Sequence, residues 1–419
     1  MVALVLNVSS VGVLYITRIF LARWMGSTEE FGAYIYAFNW AQMLGFIASL
    51  GLPTAAVYFV PRYLEHQDLA RLHGFLRSSW LISFFGGVIL AAAGTVLTYI
   101  FAPNDLRASL LIGLWISPIL AIVNFQKEAA RGARHMALSL APSQVLYPAM
   151  LLGGAGLIWA MTGTLGHLQT MMLLGVAACI VLVIQWVGLN RIMPPSQGVK
   201  RVFELKTWLA LAIPLFFEQE SRTVLRQTDV VMIQFFLGDT AEVGQYSAAL
   251  QTALLGRFAL LTLNTVAAPH IAGLYARGDH ASLQRMVLTA TRRIFWPSVA
   301  LTLAACLLAK PLLGLFGKDY HGATTVLWIL AIGQLIGASF GPVGHLLNLT
   351  GHHGKNLRVF SVTAVVNLAL NAILIPLAGI EGAALAAGMS ILMRNLWSYL
   401  LVRKHLNIHS FAFFGREKA

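Results

Sequence analysis

Five arginines stand inside stretches that are otherwise apolar enough to cross a bilayer: Arg18, Arg222, Arg226, Arg257 and Arg394. A charge held at the bilayer centre costs about 2.5–3.5 kcal/mol even on the lenient insertion scale, so each needs a partner, a watery cavity or a function. The densest group lies in Phe216-Phe-Glu-Gln-Glu-Ser-Arg-Thr-Val-Leu-Arg-Gln-Thr-Asp229. There Glu218, Arg222, Arg226 and Asp229 follow at spacings of four, four and three, which puts all four on one helical face, with Glu220 turned elsewhere. Such a face can neutralise itself as a ladder of ion pairs, or it can line a cavity in which Glu218 and Asp229 balance the arginines or hold a coupling Na⁺ or H⁺.

Arg18, Arg257 and Arg394 have no carboxylate three or four residues away, so their counter-charge must come from another segment or from a bound anion. Arg18 lies about 12 Å of helix from the polar corner at Gly26, within snorkelling reach of the surface. The apolar segments together hold five bases against three acids, which biases any shared cavity toward an anionic headgroup. The planar fork of arginine suits pyrophosphate in particular. Asn39 and Gln251 add amides at matching places in the two halves, and Asn367 and Asn371 lie four apart on one face; interhelical hydrogen bonding is the plain role for all four.

Other chemistry is not indicated. His270, His345, His352 and His353 lack metal-ligand spacing, Cys179 and Cys306 lie in mid-span as small apolar packers, and there is neither a phosphate-binding Gly-x-x-x-x-Gly-Lys loop nor a His-Glu-x-x-His pair. Neither a metal nor a cofactor is expected. The short loops leave no room for the extramembrane sites of a membrane glycosyltransferase or ligase, so the chain reads as no enzyme, a glycan polymerase or ligase being the distant alternative.

These side chains must be positioned by membrane helices. The 419 residues are 58% hydrophobic and only 11% charged, with a mean hydropathy of +0.73. Soluble domains are about 25% charged. Twelve apolar spans are predicted, at approximately 2–23, 31–60, 76–101, 107–126, 139–161, 169–190, 207–237, 243–269, 290–316, 322–349, 357–379 and 381–402. The first begins at Val2 and is too long for a signal-peptide core, so it is expected to stay in the mature protein. A net charge of +13 would suggest nucleic acid in a soluble chain, but here position matters more than the sum. Loops after even-numbered spans, with the C-terminal tail, hold 20 of the 29 Lys and Arg, among them Arg62, Arg71, Lys127, Arg131, Arg134, Lys200, Arg201, Arg403 and Lys404. Both termini are therefore expected in the cytoplasm, and no nucleic-acid partner is expected.

The segment Gly26-Ser-Thr-Glu-Glu-Phe-Gly-Ala-Tyr34 recurs as Gly238-Asp-Thr-Ala-Glu-Val-Gly-Gln-Tyr246, an offset of 212 that is half the chain. A weaker echo relates the segment ending at Asp68 to the one ending at Asp279. Two parallel six-span halves follow, because an even number of spans returns the chain to its starting side. The expected organisation is an N-terminal bundle over 1–190, a polar linker over 191–206, a C-terminal bundle over 207–405 and a tail over 406–419.

The repeated Gly-x-Thr-x-Glu-x-Gly-x-Tyr corner, Arg18 before it, and Gly51-Leu-Pro-Thr-Ala with Pro61-Arg-Tyr63 after span 2 together resemble the oligosaccharide flippases of the MOP exporter superfamily. The likeness covers nearly the whole chain and is strongest to the Wzx-like polysaccharide biosynthesis branch. It implies an all-α integral membrane fold of two bundles around a V-shaped cavity lined by spans 1, 2, 7 and 8. On that map Arg18, Asn39, Arg222, Arg226, Gln251 and Arg257 would bind substrate, and Glu218 and Asp229 would hold a coupling ion or balance charge. The implied substrate is an undecaprenyl-pyrophosphate-linked oligosaccharide, a polyprenyl-pyrophosphate-linked glycan moved across the inner membrane among its lipids for surface polysaccharide assembly. A cation-coupled multidrug antiporter of the same superfamily is the main alternative. It should carry a membrane-embedded acid in the N-terminal half, where Glu29, Glu30, Glu65, Asp68, Asp105 and Glu128 all fall in loops or at span ends.

Overall fold

The computed structural model describes residues 2–195, 198, 200–255, 270–271 and 273–413, and for 2–11, 218–222, 224 and 226 the backbone alone. Within these the chain is helical: α1 (Val2–Met25), α2 (Thr28–Ala48), α3 (Leu52–Glu65), α4 (Leu69–Phe101), α5 (Asn104–Gly132), α6 (Met136–Leu140), α7 (Tyr147–Thr162), α8 (His167–Ile192), α9 (Leu205–Leu237), α10 (Thr240–Leu254), α11 (His280–Leu307), α12 (Ala309–Gly314), α13 (Thr324–Ser339), α14 (Val343–Leu349) and α15 (His353–Leu406). A π-helical turn, Ala141–Leu146, joins α6 to α7 around Pro142.

Among the described residues six helical segments are long and apolar enough to cross a bilayer, and the pair α2–α3, bent by 47° at its break, makes a seventh. The twelve spans expected from the sequence count in addition α1, α9, α10 and α11, and the two legs of α15 separately. That last separation is physical. A straight helix of 54 residues would measure about 81 Å, far more than the roughly 30 Å of hydrocarbon in a bilayer. Instead Ala378 (φ −140°, ψ 18°) and Gly379 (φ 58°, ψ −138°) leave the helical region and turn the chain back. Asn367 on one leg thus donates to Ser390 Oγ on the other at 3.2 Å. The outer faces carry exposed apolar stripes, such as Phe85, Ile89, Val96 and Ile100 on α4, which suit contact with lipid rather than water.

The sequence repeat is a repeat of helix starts. Gly26 and Gly238 adopt φ of +75° and +71°. The next residue in each copy caps a helix, Ser27 accepting from the Glu30 amide at 3.1 Å and Asp239 from the Ala241 amide at 2.7 Å. The weaker echo has the same origin, because Asp68 caps α4 and Asp279 caps α11. The Arg71 backbone N–H, reinforced by the Arg71 guanidinium, holds the Asp68 carboxyl below its ordinary range, and the Ser282 N–H does the same for Asp279.

Two compact units result, residues 1–227 and 228–419, and the division falls inside α9 rather than at the polar linker. The reason is visible in the first turns of α9. Trp208 is fully buried among Tyr63, Phe75 and Phe125, and its indole N–H donates to Tyr63 Oη at 2.9 Å. The end of the linker is tied to the same unit through Glu204–Arg71 at 2.8 Å and the Val202 amide on the Ala70 carbonyl at 3.1 Å.

In the second unit the start of the tail, 407–413, is part of the core. Ile408 and Ser410 are buried. Gln284 exchanges two 2.7 Å bonds with the backbone of His409, and Phe411 packs on Phe340. After α13 the Val343 N–H turns to the Gly341 carbonyl at 3.0 Å instead of continuing the helix to Ser339, and Ala412 supplies an N–H to the Ser339 carbonyl at 2.9 Å. Ending the chain after Leu406 is therefore expected to lower the melting temperature by about 5–10 °C, whereas ending it after Phe413 should not. Thermal denaturation in detergent checks this; equal melting temperatures for the two truncations would contradict it.

Candidate ion site and arginine positions

Among the sequence-predicted site residues, Asp229 has the most fully described surroundings. It lies on α9 just after the division between the units, is 3% exposed, and directs its carboxylate into the second unit. Its Oδ2 accepts from Tyr246 Oη at 2.7 Å, and its Oδ1 accepts from Asn371 Nδ2 at 2.8 Å. Asn371 Nδ2 also reaches Asn367 Oδ1 at 3.2 Å, and Asn367 Nδ2 goes on to Ser390 Oγ at 3.2 Å. Four elements contribute: α9, α10 and both legs of α15. The amides come together because 367 and 371 lie one helical turn apart, and the reversal at Ala378–Gly379 brings Ser390 level with them.

This network is rich in hard oxygen atoms. The carboxylate, two amide carbonyls and two hydroxyls belong to one chain of hydrogen bonds, and Asn371 Oδ1 is buried without a hydrogen-bond partner. A buried acceptor beside a buried carboxylate is the donor set that Na⁺ or a proton would use, and the same set gives no purchase to an anion. Among the described residues no group of three or more His, Cys, Asp or Glu could hold a metal ion.

In the first unit, Arg18 on α1 is half-buried and lies in the electrostatic range of Tyr34 on α2. Its neighbour Thr17 donates to the Val13 carbonyl at 2.7 Å and to the Pro148 carbonyl at 3.4 Å, which ties α1 to α7. Tyr34 and Tyr246 are the final residues of the two repeat copies. In each unit that tyrosine therefore attends the ionisable side chain of the preceding helix, a cation in the first and an anion in the second. In the sequence these tyrosines stand out only as repeat markers. Their fixed distance from Arg18 and Asp229, 16 and 17 residues, was the available signal.

Asn39 is half-buried, and its amide donates to the Ile35 carbonyl of its own helix at 2.9 Å. Gln251 is half-buried on α10, away from the hydrogen bonds of Asp229. Arg394 stands 5.4 Å over the Phe360 ring, a cation–π contact between the legs of α15. The backbone of α9 carries Glu218, Arg222 and Arg226, but their side chains, and Arg257 altogether, lie outside the described residues.

Residues 1–274 match the family described as "Polysaccharide biosynthesis protein". No curated protein matches the chain. Among solved structures, the fold is similar to an inward-facing multidrug resistance MATE family transporter of the MOP superfamily, at 15% identity over 94% of each chain with a TM-score of 0.79. It is also similar to the lipid II flippase MurJ in an inward closed conformation, at 14% identity over 96% of this chain and 87% of that one, TM-score 0.70. A MOP superfamily transporter from Pyrococcus furiosus Vc1 (DSM3638) matches at 14% identity over 97% and 94%, TM-score 0.66. At these identities the likeness establishes the all-helical fold, which the long apolar helices make that of a multi-pass membrane protein.

Proposed function

Because this chain belongs to the polysaccharide biosynthesis protein family, we propose that it is a flippase for an undecaprenyl-pyrophosphate-linked oligosaccharide, moved from the cytoplasmic to the periplasmic leaflet of the inner membrane. The family match is the observation that carries the substrate class, and a fold shared with a lipid II flippase supports it. Both termini are cytoplasmic, on the side where Lys and Arg collect. The two units, 1–227 and 228–419, alternate their access. Arg18, Arg222, Arg226 and Arg257 hold the pyrophosphate through bidentate bonds, Asn39 and Gln251 contact sugar, and the prenyl tail trails in lipid. The chain makes and breaks no covalent bond.

Asp229 is the seat of the coupling ion. Na⁺ would be held by the Asp229 carboxylate, the Asn367 and Asn371 carbonyls and the hydroxyls around them; a proton would sit on the carboxylate itself. Glu218 serves to balance Arg222. The second reading, a cation-coupled multidrug antiporter, is favoured by the likeness to MATE transporters.

Ligand-induced thermal stabilisation separates the two readings, since a ligand that prefers the folded state raises the melting point. A polyprenyl-pyrophosphate glycan at a hundred times its Kd should contribute about 2.7 kcal/mol. That shift should vanish in Arg222→Ala and in Arg257→Ala, which should also lose export while still inserting in the membrane. Stabilisation by lipophilic cations alone would replace the flippase reading with the antiporter.

A further inference from the structure

Most basic side chains on the Lys/Arg-rich side that the structure describes in contact with acids carry their own counter-charge. Arg71 pairs with Asp68 at 2.7 Å and Glu204 at 2.8 Å, Arg134 with Glu65 at 2.6 Å, and Lys127 and Arg131 share Glu128 at 3.4 Å. One cluster in the second unit is built differently. The imidazole of His352, at the start of α15, stacks on that of His405 in its last turn, with centroids 5.2 Å apart and planes at 26°. Lys355 and Lys404 act on the same ring, and each of the charged or titratable groups acting on His405 is basic. α14 contributes only His345 as a titratable group, and the nearest other ionisable residues of α15, His353, Arg358 and Arg403, are also basic.

The Thr350 hydroxyl donates to the Leu346 carbonyl at 2.8 Å and lies 3.1 Å from His352 Nδ1, which fixes the ring at the start of the helix. Among the described residues the groups acting on His405 are Lys355, His352 and Lys404, with no carboxylate, so charging its ring adds to a set of like charges whose mutual repulsion calls for an anion.

Position identifies which anion. Both legs of α15 end here, past their apolar stretches, at the level where the membrane offers phosphate rather than hydrocarbon. We propose that His352, Lys355, Lys404 and His405 bind the phosphate headgroup of an anionic phospholipid, and that this binding tightens as pH falls through the imidazole range. The inference stands whether the cargo is a glycan lipid or a drug.

The test is lipid binding to the full-length protein by native mass spectrometry, in neutral phosphatidylcholine with phosphatidylglycerol titrated in, near pH 5.5 and near pH 8. Phosphatidylglycerol should bind roughly tenfold or more tightly at the lower pH, each added charge near the surface contributing on the order of 1 kcal/mol. His405→Gln alone, at an exposed position that leaves the core untouched, should remove much of that pH dependence, and His352→Gln with His405→Gln should remove the rest. Lys355→Gln with Lys404→Gln should weaken binding at both pH values. Unaltered affinity and pH dependence in all these variants would overturn the proposal. Full displacement of the lipid by millimolar inorganic phosphate would reassign the site to a free phosphate, and overturn the lipid assignment.

Discussion

Replacing Asp229 with Asn is expected to leave the protein folded and membrane-inserted while abolishing its response to a cation gradient. The carboxylate is buried and accepts bonds from Tyr246 at 2.7 Å and Asn371 at 2.8 Å. Asn has the same shape and keeps one carbonyl to accept, so the fold loses about 1 kcal/mol or so. The negative charge, however, is gone, and neither Na⁺ nor a proton retains a binding site there. Asp229→Leu should be far more damaging to stability, because it strands the Tyr246 O–H and the Asn371 N–H in an apolar interior at about 1–3 kcal/mol each. Transport into proteoliposomes, driven in turn by a Na⁺ and a pH gradient, reads the first effect, and melting temperature the second. Undiminished gradient-driven transport by Asp229→Asn would remove Asp229 from the coupling site while leaving the flippase reading intact.

The second large effect is expected at Gly51, in the break between α2 and α3. Its φ of +75° costs any L side chain about 1–2 kcal/mol. A Cβ there would also overlap the Ala212 carbonyl oxygen and stand 2.8 Å from the Phe216 nitrogen and 2.9 Å from its Cβ. These are backbone and near-backbone atoms of α9, which cannot swing aside as the end of a long side chain would. Gly51→Val should therefore cost about 3 kcal/mol or more and lower the melting temperature by on the order of 10 °C, with much of the protein lost before purification. Gly153→Ala is the matched control, because nothing lies within 4 Å of a Cβ at that helical position. Its expected effect is neutral to stabilising, up to about 1 kcal/mol. If the two variants melted alike, the close approach of α9 to this break would not hold the first unit together.

The contact at Gly51 also bears on mechanism. Phe216 lies two residues before Glu218, so the bend of span 2 and the start of the charged stretch of α9 are packed into one unit. Any rearrangement that straightened α2 against α3 would have to move those turns of α9 with it.

The amino-acid sequence by itself determined the class of this protein. Apolar runs from end to end with few charges leave no alternative to membrane helices, because backbone polar groups in hydrocarbon must be satisfied within the segment. The half-chain repeat, its helix-starting corners and the isolated ionisable residues were legible for a related reason. Periodicity and capping are local properties, and a charge in an apolar run stands out wherever the run folds. Partners are not local. Asp229 could equally have closed a ladder with Arg226 three residues away, and the sequence held no means to prefer Asn371, 142 residues distant, or Tyr246 across a corner. That choice belongs to the packing of α9 against α10 and the α15 hairpin. The hairpin in turn depends on a two-residue departure from helical geometry at Ala378–Gly379, inside what hydropathy reads as almost continuous apolar chain. The strap over 407–413 shows the same limit, since its polar composition reads as a tail until the broken end of α13 offers the Ser339 carbonyl for the Ala412 N–H to fill. Tertiary structure decided these points because a buried polar group takes its partner from whatever the fold brings within 3 Å, and sequence separation carries no information about that distance.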